Sequence, residues 1–146
     1  MWKANPNLKI LYIDLDAVVP SDTKEPLSHN TNFYTFDICD DLVQFQYQNH
    51  INDTVYLGLL REHLRVSIES IKPDIIFYRA RQNGSNDTSR STSLTPNGMK
   101  ERDLFIFSEA KKGSIPIMMN IDNGYDQENY HQLVERIEAI IEIMGE

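Results

Sequence analysis

Four short apolar runs, separated by segments whose apolar residues recur every three or four positions, organise this chain. Leu8 to Asp16 is β-branched and aromatic, with no internal Gly or Pro, and predicts a first strand. Asn32 to Cys39 predicts a second. Asp74 to Tyr78 is continuously apolar after its first residue, the type of strand buried on both faces of a parallel sheet. Ile115 to Ile121 predicts the fourth strand. Between the second and third, Leu57, Leu60, Leu64, Ile68 and Ile71 fall on one helical face. Asn52 or Asp53 is available to cap that helix, and Lys72-Pro73 to stop it. Thr95-Pro96 opens a second helix with a cap residue followed by Pro at the first helical position. Met99, Ile106 and Ala110 line its apolar side, Phe105 and Phe107 flank it, and Gly113 ends it. Leu133, Ile137, Ile140, Ile141 and Met144 predict the buried stripe of a last helix. Pro20 to Asn32 and Arg79 to Ser93 read as polar loops, the second long enough to suggest a site loop. Asp40 to Ile51 is ambiguous, the alternation of Gln44 to Gln48 fitting a short edge strand.

Strands alternating with helices mean an α/β fold: a mainly parallel sheet with flanking helices and right-handed crossovers. The 146 residues, without repeat or internal boundary, make a single domain spanning 1–146. The formal charge of −8, with no dense basic patch, opposes direct contact with a nucleic-acid backbone. No apolar run approaches the roughly 18 residues that cross a bilayer, so no membrane insertion is expected. Met1 to Lys9 lacks the apolar segment of a secretory signal. Cys39 is the single cysteine and makes no internal disulfide, which favours a reducing, intracellular setting without selecting among nucleus, cytoplasm and organelle. Its simplest role is a small core residue.

The candidate chemistry lies at strand ends, where open parallel sheets bind their ligands. Asp14 and Asp16 end the first strand, and residues two apart point to the same side, so both carboxylates can converge on one cation. The following Val18, Val19 and Pro20 ligate nothing. Asp37, Asn83 and the pair Asp122 and Tyr125 stand at or after the other strand ends. There is no Gly-rich phosphate loop, no Cys-x-x-Cys and no Gly-x-Ser-x-Gly elbow. His29 and His50 lie in polar loops, and His63 and His131 read as solvated helix residues.

Taken together, several stretches resemble the histone deacetylase family, its class IV branch in particular. Ile10-Leu11-Tyr12-Ile13-Asp14-Leu15-Asp16-Ala17 resembles the zinc-site strand, whose motif is Asp-x-Asp-x-His. Pro73-Asp74-Ile75-Ile76-Phe77-Tyr78-Arg79-Ala80 resembles the next site strand. Thr95-Pro96-Asn97-Gly98, Arg102-Asp103, Ile115-Pro116-Ile117-Met118-Met119 and Gly124-Tyr125 follow in the family's order and at similar spacing. The resemblance runs from Lys9 to about Tyr130 and implies the C-terminal half of the three-layer arginase/deacetylase fold. It also implies that Asp16 and Tyr125 are vestiges of a zinc ligand and a carbonyl-polarising tyrosine. The remaining ligand positions fall on Val18 and, within one residue, Asn83. The family's paired histidines come from an N-terminal half without a counterpart here. A catalytic zinc needs three protein ligands and an open position, so the zinc site is expected to be lost. A monovalent cation or magnesium remains an option at Asp14 and Asp16.

The leading expectation is therefore a truncated, catalytically degenerate deacetylase-like domain, a pseudoenzyme serving as a structural or regulatory subunit. Half of such a fold leaves a strand edge and apolar surface for a protein partner or a second copy. Trp2, Phe45 and Tyr47 are the aromatic anchors expected at that interface. Two alternatives stay open on the sequence. Asp14-Leu15-Asp16-Ala17 also resembles the first motif of haloacid-dehalogenase-type phosphatases, with Asp14 as nucleophile, Asp16 as acid/base and magnesium between them. The other is a residual deacetylase-type hydrolase completed by a partner chain.

Overall fold

A computed structural model describes residue 5 and residues 7–15, 32–38, 52–81, 94–122 and 127–145. Its elements in chain order are β1 (Ile10–Asp14), β2 (Phe33–Phe36), α1 (Asp53–Ile71), β3 (Ile75–Arg81), α2 (Pro96–Lys112), β4 (Ile117–Asp122) and α3 (Gln127–Gly145). The four strands form one parallel sheet in the order β2-β1-β3-β4. This is the α/β architecture expected from alternating strands and helices.

The helix limits follow from local chemistry. Asn52 caps α1 by accepting the Val55 N–H at 3.0 Å, and Lys72 closes it in the left-handed region at φ 51°, its N–H returning to the Ile68 carbonyl. Thr95 caps α2 by accepting the Gly98 N–H at 3.0 Å, with Pro96 following it at the start of the helix. The same Thr95 donates its N–H and hydroxyl to the Asp53 carboxylate in the first turn of α1. That one carboxylate therefore ties the starts of two helices together, where partial positive charge collects. Gly98 is required by this approach, because a Cβ there would run into the Asp53 carboxylate.

The pleat divides the sheet into two unlike faces. Leu11, Ile13, Phe36, Ile76, Tyr78 and Ala80 point to one face and are buried among Tyr56, Leu57, Leu60 and Leu64 of α1, Met99, Ile106 and Ala110 of α2, and Ile140 of α3. The opposite face carries Ile10, buried, then Tyr12, Phe33, Ile75 and Phe77, half-buried, and Met118, 52% exposed. Tyr12 and Phe33 stack there with ring centroids 6.1 Å apart. The apolar runs of β1 and β3 ask for cover on both faces, more than three helices can supply. The helices' buried side chains join the core on one side.

Three expectations are corrected. The third strand runs on through Arg79, Ala80 and Arg81, whose polarity predicts a loop. In-register pairing with β1 and β4 holds them extended, and Ala80 is buried. The fourth strand begins at Ile117 rather than Ile115. On α3, Ile141 is 64% and Met144 40% exposed, so the predicted buried stripe is displaced. Arg136 and Ile140 are the buried positions, with Ile143 packed beside them. The ambiguous stretch 40–51 and most of the loops 20–32 and 79–93 lie outside the described residues.

A guanidinium on the inward side of α3 has a reason. Asp103 of α2 is fully buried and accepts hydrogen bonds from the Tyr78 hydroxyl at 2.6 Å, Arg102 Nε at 3.0 Å and Arg136 Nε at 2.7 Å, with Arg136 Nη2 closing a second contact. Arg102 also lies over the Tyr78 ring, 6.0 Å from its centroid. The carboxylate thus joins the centre of the sheet to α2 and α3. Burial pushes the Tyr78 phenol well above its ordinary range; Arg102 works against this and Asp103 adds to it. For Arg102, burial opposes the charge, but Tyr78 and Asp103 outweigh it and its pKa rises.

Asp103→Ala is expected to cost about 3–5 kcal/mol in urea unfolding, because it removes the buried carboxylate to which Arg102 and Arg136 both donate. Tyr78→Phe should cost about 1.5–3 kcal/mol, the worth of a hydrogen bond to a charged group. The raised phenol pKa means that the Tyr78 contribution is complete below about pH 10, the unfolded value. It is lost as the pH rises above that, so the alkaline fall in stability should be shallower in Tyr78→Phe.

Candidate site at the strand ends

The carboxyl ends of the strands form the edge where parallel sheets place their chemistry. The register sets Asp14 of β1 opposite Arg79 of β3, and Arg79 opposite Asn120 of β4. Paired residues of neighbouring strands share a face, so these three form a row along this edge, on the side away from the helices. Arg79 Nη1 donates to Asp14 Oδ2 at 3.2 Å, with the two side chains only 17% and 13% exposed. Asp37, half-buried, follows the end of β2, and Asp122 ends β4.

This pairing bears on the chemistry open to Asp14. A nucleophilic carboxylate, or one helping to hold a cation, must present a lone pair to an incoming electrophile or ion. A guanidinium at 3.2 Å takes one oxygen and neutralises the local charge. Within the described part of this edge, Asp14 and Arg79 form a partly buried ion pair. Among the described residues, no group of three or more His, Cys, Asp or Glu side chains is placed to hold a metal ion.

Of the residues singled out in the sequence, Asp14 is in the described part of the site. Asp16, Val18, Asn83 and Tyr125 lie outside the described residues, as do Trp2, Phe45, Tyr47, Cys39, His29 and His50. His63 is on α1 and His131 on α3, on helices rather than at the strand ends. The motifs alone do not reveal Arg79 as the partner of Asp14. Its signal is nonetheless present: an acid at the end of one parallel strand and a base at the matching place in the next. They also pass over Arg136, whose position between Leu133 and Ile140 marks it as inward-facing.

The comparisons bear on the fold. This is a histone-deacetylase-like α/β fold, over its C-terminal half. The structure of the HDA15 HD domain superposes on it with a TM-score of 0.68 at 13% identity, covering 99% of this chain and 46% of that one. In sequence, the chain is 24% identical to histone deacetylase 2 of Arabidopsis thaliana over 146 residues, covering 90% of this chain and 38% of that protein. It is 27% identical over 139 residues to an uncharacterized protein of Picosynechococcus sp., covering 88% of this chain and 46% of the other. No family profile matches it. The chain thus spans less than half the length of the curated relatives it matches. Among the described residues, no helix is long and apolar enough to cross a membrane.

If Asp14 were a phosphatase nucleophile, magnesium-dependent hydrolysis of p-nitrophenyl phosphate would vanish in Asp14→Asn. With Asp14 held by Arg79, the expected result is background hydrolysis in both proteins, with and without magnesium.

Proposed function

We propose that the chain is a catalytically degenerate deacetylase-like protein, acting as a non-catalytic structural or regulatory subunit. The observation that carries this reading is the chemistry of the donor set. The resemblance puts zinc ligands at Asp16, Val18 and Asn83. Valine has no donor atom, and an asparagine amide is a neutral, weak ligand where the chemistry needs a carboxylate. One remaining carboxylate cannot hold zinc in competition with water. These residues do not fit a catalytic zinc.

The same reading bears on Tyr125, the carbonyl-polarising tyrosine of the resemblance. Without a metal-activated water, a hydroxyl donor alone orients a carbonyl but hydrolyses nothing. The ion pair between Asp14 and Arg79 supports the reading from the described part of the structure, since it occupies a strand-end carboxylate with a fixed counter-charge. The phosphatase alternative loses support on the same ground, and the fold comparisons point to deacetylase-type proteins instead. The subunit role draws on surface that the described residues expose: the half-buried aromatic face of the sheet, with Met118 exposed on β4, is apolar area that a partner would cover.

Two measurements test the proposal. Elemental analysis after dialysis is expected to find far less than one zinc per chain, and about one per chain would overturn it. The double substitution Val18→His and Asn83→Asp is expected to give no turnover of an acetyl-lysine peptide, because groups that act as a unit fail together and the histidine pair has no counterpart here. Turnover by the unaltered chain alone would sink the subunit reading outright.

A further inference from the structure

Helix α3 carries more apolar residues than its inward face uses. At about 100° per residue, Arg136, Ile140 and Ile143 face the core. A second stripe runs beside them at Tyr130, Val134, Ile137, Ile141 and Met144, with alternating four- and three-residue spacing. Tyr130 is 59%, Ile141 64% and Met144 40% exposed, and Val134 and Ile137 are half-buried between them. Three of the five large apolar side chains that stand exposed among the described residues lie on this one stripe. An average repeat of about 3.5 residues is the seam of a helix-to-helix contact. The helix that bears it is clamped: Arg136 is buried on Asp103, and Lys111 of α2 donates to the Ile143 carbonyl at 2.6 Å.

The borders of the stripe select the partner. One border is the protein's own core. Along the other run Glu135, Glu138 and Glu142, all exposed, and the last turn holds no basic residue. In an antiparallel pair of identical helices, like borders meet, so a second copy would set this glutamate row against itself. A parallel pair would drive each row into the body of the other copy, and two chains of charge −8 repel at longer range as well. An anionic lipid surface is repelled for the same reason.

We infer that the exposed stripe of α3 docks an amphipathic helix of a different protein, one whose apolar stripe is bordered by Lys or Arg facing Glu135, Glu138 and Glu142. This rests on the subunit reading above and names its surface and the chemistry of its partner.

The test uses the full 146-residue chain and two synthetic three-heptad helical peptides, alike in their Leu stripe, one bordered by Lys and the other by Glu. Fluorescence anisotropy should show binding of the Lys-bordered peptide. Tyr130→Ser with Ile141→Ser should weaken it at least about tenfold, the loss of an interface anchor. Glu135→Lys, Glu138→Lys and Glu142→Lys together should reverse the preference between the peptides. Charge reversal at Glu62 and Glu69, exposed on α1 rather than on the stripe, should leave binding within about twofold. Circular dichroism confirms that each variant is folded, and the exposure of these side chains makes that the expected result.

Equal binding of the two peptides, binding that ignores the α3 substitutions, or equal loss on reversing Glu62 and Glu69 would overturn the inference. So would self-association abolished by Ile141→Ser, which assigns the stripe to a second copy, or adsorption to phosphatidylserine vesicles through it. If the peptides fail while the chain still co-purifies with a partner, this inference alone falls. If the chain alone hydrolyses an acetyl-lysine peptide, the subunit reading falls and the peptide result stands by itself.

Discussion

The arrangement of α2 and α3 on the sheet depends on the burial of one carboxylate. Asp103 has no access to water and takes hydrogen bonds from the sheet, its own helix and the last helix at once. A charge in that position tolerates little displacement, because moving any donor leaves an ion in a medium that solvates it poorly. Apolar contacts between α2 and α3 supply area, but area permits many angles and offsets. The two Arg136 nitrogens that converge on one Asp103 oxygen permit far fewer. The cluster also explains why Tyr78 is a tyrosine rather than a phenylalanine: its hydroxyl reaches the same oxygen as Arg102.

That anchoring lies wholly on the helical side of the sheet, and this asymmetry separates stability from chemistry. Leu11, Ile13, Ile76 and Tyr78 are at most 1% exposed, whereas the alternating positions Tyr12, Ile75 and Phe77 are only half-covered. Asp14, Arg79 and Asn120 belong to the second set, by the period of two along each strand. Substituting them touches the edge of the sheet and the less covered face, not the core.

Much of the fold was legible because the signals were local. The caps at Asn52 and Thr95, the stop at Lys72, the Pro at the start of α2 and the period of α1 each follow from a few neighbouring residues. The errors arose where long-range pairing decides. Arg79 to Arg81 is polar and reads as loop, yet backbone pairing to strands on both sides extends β3 through it. The stripe of α3 was misplaced because Ile141 and Met144 satisfy a helical period as well as Ile140 does. The buried carboxylate on another element drew Arg136 inward and rotated the helix. Within the candidate site, the position of Asp14 at a strand end was legible from its run of apolar residues. Its neutralisation by Arg79 was not, since register between strands 65 positions apart is a tertiary fact.

The same rotation of α3 gives the molecule its outward chemistry. Had the five predicted residues been buried, the helix would present mainly glutamates and would associate with little. Turning Arg136 inward instead satisfies a buried ion and leaves Tyr130, Ile141 and Met144 exposed beside the acidic row. Exposed apolar area on a single-sign border is costly for a free protein but selective for a bound one, because any partner must supply both an apolar stripe and the opposite charge. The residue that fixes the helix on its domain and the residues that select its partner thus lie on adjacent faces of one helix. A change at Arg136 that let α3 rotate would draw the stripe inward, and the loss of docking would then accompany the loss of stability.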